Sequence, residues 1–322
     1  MNRPSGNGLL RSLSPADVII IGFLAVLSVV ACDCPGGIAA LLLPINALSC
    51  AAVVLLAVRT ERSDSSTLRI IHDWYPAPAV FLIFKEVYII IQAIAGPDWD
   101  GILIAADRWM FGVDPTVWCA RFAAPVITEI LQLSYASYYF LMIAVAYELY
   151  ARSETRKFSF TMFVILYGFF LSYIGYLLFP AVGPRFTLHD FGSINTDLPG
   201  VWLTDSIRAF LNAGESIPSG VSNAIRHAQR DAFPSGHTQM TLLSCYLAHR
   251  YRLAVRWFVT AAGTLLIIST VYLRYHYVVD VLGGIAFFAL TLFTAPALYR
   301  LCSRRSVKLP IAETARETGS NG

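Results

Sequence analysis

Apolar residues fall in long blocks along this chain, parted by shorter stretches rich in Arg, Asp, Gly and Pro. In helical conformation a block of about 20 apolar residues fills the hydrocarbon core of a bilayer. Eight blocks are read as membrane helices, at about 16–31, 38–58, 77–96, 124–150, 159–180, 237–250, 255–273 and 277–299. The shorter ones can span where their flanks reach out to the interface. The pattern predicts an all-α fold, a polytopic membrane helical bundle of about eight transmembrane helices.

The polar stretches differ in kind. A tight turn, Cys-Asp-Cys-Pro-Gly-Gly, follows the first block, and residues 59–75 form a charged connection with Arg59, Arg62 and Arg69. Residues 97–121 carry Trp99, Trp109 and Trp118 and the turn Phe-Gly-Val-Asp-Pro at 111–115, a composition suited to the membrane interface rather than to another span. The segment 181–234 is too long for a plain connector and reads as a lid or a site builder. Within it, Val201, Leu203, Ile207, Phe210 and Leu211 predict an amphipathic helix lying flat on the bilayer. Three regions follow: an N-terminal hairpin with its basic connection at 1–73, a catalytic membrane domain at 74–300, and a disordered basic tail at 301–322.

Composition sharpens the class. With 56% hydrophobic residues and a mean hydropathy of +0.59, the chain lies outside the soluble range. A net charge of +3, spread along the chain, argues against nucleic acid as a partner. If the N-terminus is cytoplasmic, the inner segments hold sixteen Lys and Arg and the outer segments seven, so both termini are expected inside. The same orientation puts Arg185, His237 and His276 together on the non-cytoplasmic side, although they are scattered along the sequence. The six cysteines imply no disulfide framework, and a bond from Cys119 to Cys32 or Cys34 has no support beyond their shared outer face. The run ending Val-Val-Ala-Cys32 superficially resembles a lipoprotein signal; an ordinary first membrane helix is the favoured reading.

The chemistry concentrates in residues 271–280, VYLRYHYVVD, read together with residues 233–237, FPSGH. On a helix, positions four apart share a face, so Asp280 can orient the His276 imidazole and strengthen its other ring nitrogen. His237 follows a Pro-Ser-Gly turn that opens an apolar helix and offers N–H groups to an anion. Arg185, in Gly183-Pro184-Arg185, adds a clamp. Transfer at a phosphate needs an acceptor, a proton for the leaving oxygen and charge for the equatorial oxygens. His276 is read as the nucleophile that becomes a phosphohistidine, Asp280 as its partner and His237 as the proton donor. Arg185, Arg274, the Ser235 hydroxyl and the N–H groups of Gly236 and His237 are read as the phosphate cradle.

Blander readings compete with these. His72, His189, His227 and His249 read as ordinary polar residues, and Pro218-Ser219-Gly220 repeats the turn without a following His. His237, His276 and Asp280 are also metal-ligand types, but two nearby arginines repel a cation, so no metal and no cofactor is expected. Lys85 is a further candidate for the phosphate cradle; an ion pair with Glu129 explains it equally well. The tyrosines lining the fourth span read as packing, or as an entry for a lipid headgroup. An anionic-lipid transporter or binding protein could use the arginines, yet has no need of His276 and Asp280 one turn apart.

FPSGHT followed by RYHYVVD, after an upstream GPR, resembles the type 2 phosphatidic acid phosphatase superfamily. The YLRYHYVVDVLGG form and the aromatic outer loop before the fourth span resemble its inositol phosphorylceramide synthase-like, inositolphosphotransferase branch. The resemblance covers about residues 74–297. It implies a six-helix phosphatase-like core, no metal, His276 as nucleophile with Asp280 as partner, His237 as general acid, and Ser235, Gly236 and Arg185 on the phosphate. Its partners are then the bilayer and lipid substrates: a phospholipid donor and a lipid alcohol or water as acceptor. The chain departs from the phosphatase form at Leu178, where that form has Lys, at Phe186, where it has Pro, and at Thr270, where it has Arg. These departures tilt the expectation from hydrolysis of phosphatidate or polyprenyl phosphates towards phosphoalcohol transfer in sphingolipid-type metabolism.

Overall fold

The computed structural model describes residues 12–94, 96–215, 217 and 223–303. Arg3 and Arg11, the Pro218-Ser219-Gly220 turn and the expected disordered tail beyond residue 303 lie outside them. The described residues form helices and turns, with no strand among them. The longer helices are α1 (Pro15–Cys32), α2 (Ile38–Arg62), α3 (Ser66–Trp74), α4 (Pro76–Ile94), α5 (Asp100–Phe111), α6 (Pro125–Ala136), α7 (Tyr138–Ala151), α8 (Thr155–Leu178), α9 (Thr204–Gly214), α10 (Gly236–Arg250), α11 (Arg256–Tyr272) and α12 (Val278–Cys302).

Among the described residues, five stretches are long and apolar enough to cross a membrane: α1, α2, α3 with α4, α8 and α12. A sixth is the expected fourth span, which breaks into α6 and α7 with a bend of 48°. Ser137 sits at the break, its hydroxyl donating 2.6 Å to the Ser134 carbonyl and so competing for the backbone acceptors that a straight helix uses. The two remaining expected spans are shorter helices, α10 with 15 residues and α11 with 17. Residues 97–121 form α5 and a one-turn helix, Pro115–Cys119. The amphipathic helix of the long segment starts three residues later than its apolar pattern suggests, so Val201 and Leu203 precede α9. The apolar surface is present nonetheless, with Trp202 86% and Phe210 78% exposed. The six cysteines are free.

The chain divides into two compact units. The first comprises Met1–Ile94, Leu149–Phe170 and Leu290–Gly322. There Ser14 and Asp17 form a reciprocal cap at the start of α1. The buried Asp17 carboxylate also receives the Tyr75 hydroxyl at 2.5 Å and lies 3.0 Å from His72 Nε2. Deeper in, Asn46 of α2 donates to Glu86 of α4 at 2.6 Å, which satisfies a carboxyl on an apolar helix. Lys85 belongs to this unit.

The second unit comprises Ala95–Glu148 and Leu171–Ala289. In it α11 packs on both α6 and α10, and α9 packs on α6. One buried cluster joins Leu131 and Tyr135 of α6 to Leu198, Tyr272, Leu273 and Tyr275. A second gathers Leu103 of α5 with Ala181, Ala232 and Tyr277. Gly284 lets α12 approach the start of α10, since a Cβ there would lie 2.6 Å from the Ser235 carbonyl oxygen.

Candidate active site

The second unit places His276 in a break between helices, which revises its relation to Asp280. α11 ends at Tyr272, and α12 begins only at Val278. The turn between them is of Schellman type: Tyr275 N–H donates to Thr270 O at 2.9 Å and Arg274 N–H to Val271 O at 3.1 Å. Arg274 holds the left-handed position, φ 68°, where Gly is usual, at a cost of about 1–2 kcal/mol. His276 and Asp280 are therefore not stacked on one helix. Asp280 Oδ2 accepts the Tyr277 N–H at 2.8 Å and stands 3.4 Å from His276 Nδ1. The nearer partner of Nδ1 is the Ala232 carbonyl, at 2.9 Å. A carbonyl can only accept, so the ring proton sits on Nδ1 and the lone pair on Nε2.

That Nε2 lies 3.3 Å from Nδ1 of His237. His237 is the second residue of α10, whose start is capped by the Ser235 hydroxyl, an acceptor for Thr238 N–H at 3.2 Å. The Ser235 hydroxyl, expected on the phosphate, also serves the helix end as an acceptor. Gly236 is needed for space, because a Cβ there would sit 2.3 Å from the Tyr176 hydroxyl oxygen. The His237 ring stacks on Tyr135, with centroids 4.5 Å apart, and Tyr138 lies 4.3 Å away.

Arg185 completes this group. It lies in a one-turn helix after Gly183, whose φ of 92° and close approach to the Tyr275 carbonyl oxygen, 2.8 Å from an added Cβ, exclude other residues. The Arg185 N–H donates to Arg274 O at 3.0 Å. Its guanidinium is buried and lies 4.7 Å from the centroids of both Phe186 and Tyr275. Tyr275 in turn stacks on Tyr135 at 4.1 Å, so guanidinium, phenol, phenol and imidazole form one column ending at His237. Arg185 is also paired with Glu215, just beyond α9.

Arg274, expected beside Arg185 on the phosphate, donates to Asp197 at 2.7 Å. Lys85 lies in the first unit and Arg185 in the second. Glu129, the other partner considered for Lys85, accepts the backbone N–H groups of residues 201–204 and the Thr204 hydroxyl.

Sequence reasoning missed four acids. Asp100 accepts the N–H groups of Val182 and Gly183, each at 2.9 Å, and the Tyr277 hydroxyl at 2.7 Å, tying the Arg185 loop to the His276 loop. Asp107 accepts the N–H groups of Val278 and Val279 at 2.9 and 2.8 Å and so caps α12. Glu215 holds Arg185. Asp231 precedes the carbonyl that fixes His276, and burial, with Glu215 nearby, raises its carboxyl to about 7. The one available signal was spacing: Asp100 and Asp107 lie seven residues apart, two turns along one face of α5. Burial dominates at His276 as well, pulling its pKa down to about 4 against the opposing pull of Asp231 and the Ala232 carbonyl.

Comparison with known proteins adds the family. The PAP2 superfamily pattern matches residues 101–294, more than half of the chain, and takes in both imidazoles, Arg185 and Asp280. The chain belongs to the PAP2 superfamily. A PA-phosphatase related-family protein of Dictyostelium discoideum is 30% identical over 182 residues, covering 51% of this chain and 31% of that protein. The chain thus spans about a third of that relative's length. No solved structure matches. PAP2 proteins generally catalyse phosphoryl transfer or hydrolysis and act on lipid phosphates in membranes. Several helices of this chain are long and apolar enough for that setting.

Proposed function

We propose that this protein is a membrane-embedded lipid phosphotransferase that moves a phosphoryl or phosphoalcohol group, of the inositol phosphate kind, between lipids through a phosphohistidine on His276. The observation that carries the reading is the approach of His237 Nδ1 to His276 Nε2, 3.3 Å, in the same compact unit as the buried Arg185. His276 is neutral near pH 7 and keeps its proton on Nδ1, so Nε2 is free to attack phosphorus. As the N–P bond forms and the bond from phosphorus to the leaving oxygen breaks, His237 protonates that oxygen. In the second half the acceptor hydroxyl gives its proton to His237, its oxygen attacks phosphorus, and the P–N bond breaks. Arg185 bears the charge of the equatorial oxygens. Rings in contact leave no room for a phosphorus atom, so substrate entry parts them. Asp280 acts mainly by holding the Tyr277 backbone and the field around Nδ1. The positive-inside bias supports a site on the non-cytoplasmic face, with both termini cytoplasmic.

Hydrolysis, with water as acceptor, is the second reading, favoured by the name of the Dictyostelium relative. Labelled phospholipid donor, offered with and without a ceramide- or diacylglycerol-like alcohol, separates the two. Transfer predicts a labelled lipid product that depends on the alcohol, and hydrolysis predicts label in water-soluble phosphate or phosphoalcohol regardless. His276→Ala is expected to lower either rate at least a thousandfold, an order consistent with loss of a covalent nucleophile; full activity in that variant on every lipid phosphate tested overturns the mechanism.

A further inference from the structure

We propose that Glu215 is the built-in counter-ion of the anion site, occupying Arg185 until the phosphate of a lipid substrate takes its place. The proposal rests on reading Arg185 as the phosphate clamp. A guanidinium only 5% exposed and set against two aromatic rings needs an opposite charge to be stable in that position. Glu215 supplies it, through a direct ion pair with Arg185 Nη2. Its own side chain remains 21% exposed, so the pair opens towards solvent on the carboxylate side.

The position of Glu215 is not one its helix favours. It follows the last turn of α9, where the macrodipole is negative and a carboxylate is repelled. The guanidinium, rather than the helix, therefore holds this side chain.

Release of Glu215 costs little structure. The front of α9 is fixed independently: Glu129 accepts the N–H groups ahead of it, and buried Arg208 donates to Gln132, Asn195 Oδ1 and the Leu198 carbonyl. The Glu215 side chain can swing off Arg185 by rotation about its own bonds while α9 stays in place. A phosphate monoester presents the same kind of paired oxygens as a carboxylate and carries more charge, so it is the natural replacement on a guanidinium fork.

Isothermal titration calorimetry of the full chain in detergent tests this, with inorganic phosphate in one arm and dioctanoyl phosphatidate in the other. Glu215→Gln keeps the shape and removes the charge; it is expected to tighten binding about tenfold or more, the scale of one close charge pair. Tightening in both arms makes the phosphate group itself the displacing ligand, and tightening with the lipid alone makes it a lipid phosphate. Unchanged or weaker binding in both arms overturns the proposal and makes Glu215 a support that holds Arg185 in place. Glu215→Asp, which keeps the charge, is expected to bind like the parent, and equal tightening there also overturns it. Arg185→Gln separates the two layers of inference. If it abolishes binding while Glu215→Gln changes nothing, only the counter-ion role fails; if it leaves binding intact, the clamp reading fails as well.

Discussion

Gly236 shows how much of this site depends on the size of single residues. The space of its missing Cβ is taken by the Tyr176 hydroxyl, which crowds the backbone just ahead of His237. Gly236→Ala is therefore expected to destabilise the protein by about 1–3 kcal/mol, as overpacking does, and to lower activity. Tyr176→Phe removes the clashing oxygen and should restore most of the lost melting temperature; a double variant no more stable than Gly236→Ala refutes this account. The buried imidazole makes a second expectation. His276 is depressed to about 4, so it stays unprotonated over the range in which a free imidazole, near 6.5, would take up its proton. Its contribution to the acid limb of kcat/KM should accordingly fall near pH 4, with rate lost below that value and held above it, and a nucleophile limb near 6.5 would show the ring to be solvated. At this scale the residues of the proposed site, His237, His276, Arg185 and Gly236, were legible because they stand in short recognisable runs. Asp100, Asp107 and Glu215 were not, because an acid that accepts distant backbone N–H groups or pairs with a distant arginine carries no local pattern.

At the scale of elements, periodicity found the helices and missed how they end. The expectation of a His276 and Asp280 pair on one helix failed because the chain breaks at Arg274, a residue that gives no warning of a left-handed turn. Its side chain is held by Asp197, which offsets part of the backbone cost. The bend between α6 and α7 was equally hidden, since Ser and Tyr are common inside membrane helices. α9 was visible from its apolar stripe, but not the carboxylate that receives the chain ahead of it. Glu129→Gln removes the charge that accepts the N–H groups of residues 201–204. In detergent, chymotrypsin should then cut at Trp202, Leu203 or Phe210 several times faster than in the parent, with cleavage elsewhere unchanged. An unaltered cleavage rate would mean that Arg208 alone secures the segment.

At the scale of the whole molecule, composition identified an all-helical chain built for a bilayer, and the family pattern at 101–294 falls within the region where the motifs lie. The number of spans was less legible, because α10 and α11 are short for a bilayer crossing and carry the polar residues of the site unit. Both imidazoles, Asp280, Arg185, Ser235, Gly236 and Arg274 belong to one compact unit, so the proposed chemistry draws its residues from a single folded body. Within that body the column from Arg185 through Tyr275 and Tyr135 to His237 has a mechanical consequence. Flat groups in van der Waals register, in an interior packed as densely as a crystal, cannot shift singly. On the proposed mechanism, an anion that tugs the guanidinium leans on the far imidazole too, gearing the seizing of a headgroup to the aim of the proton that frees it.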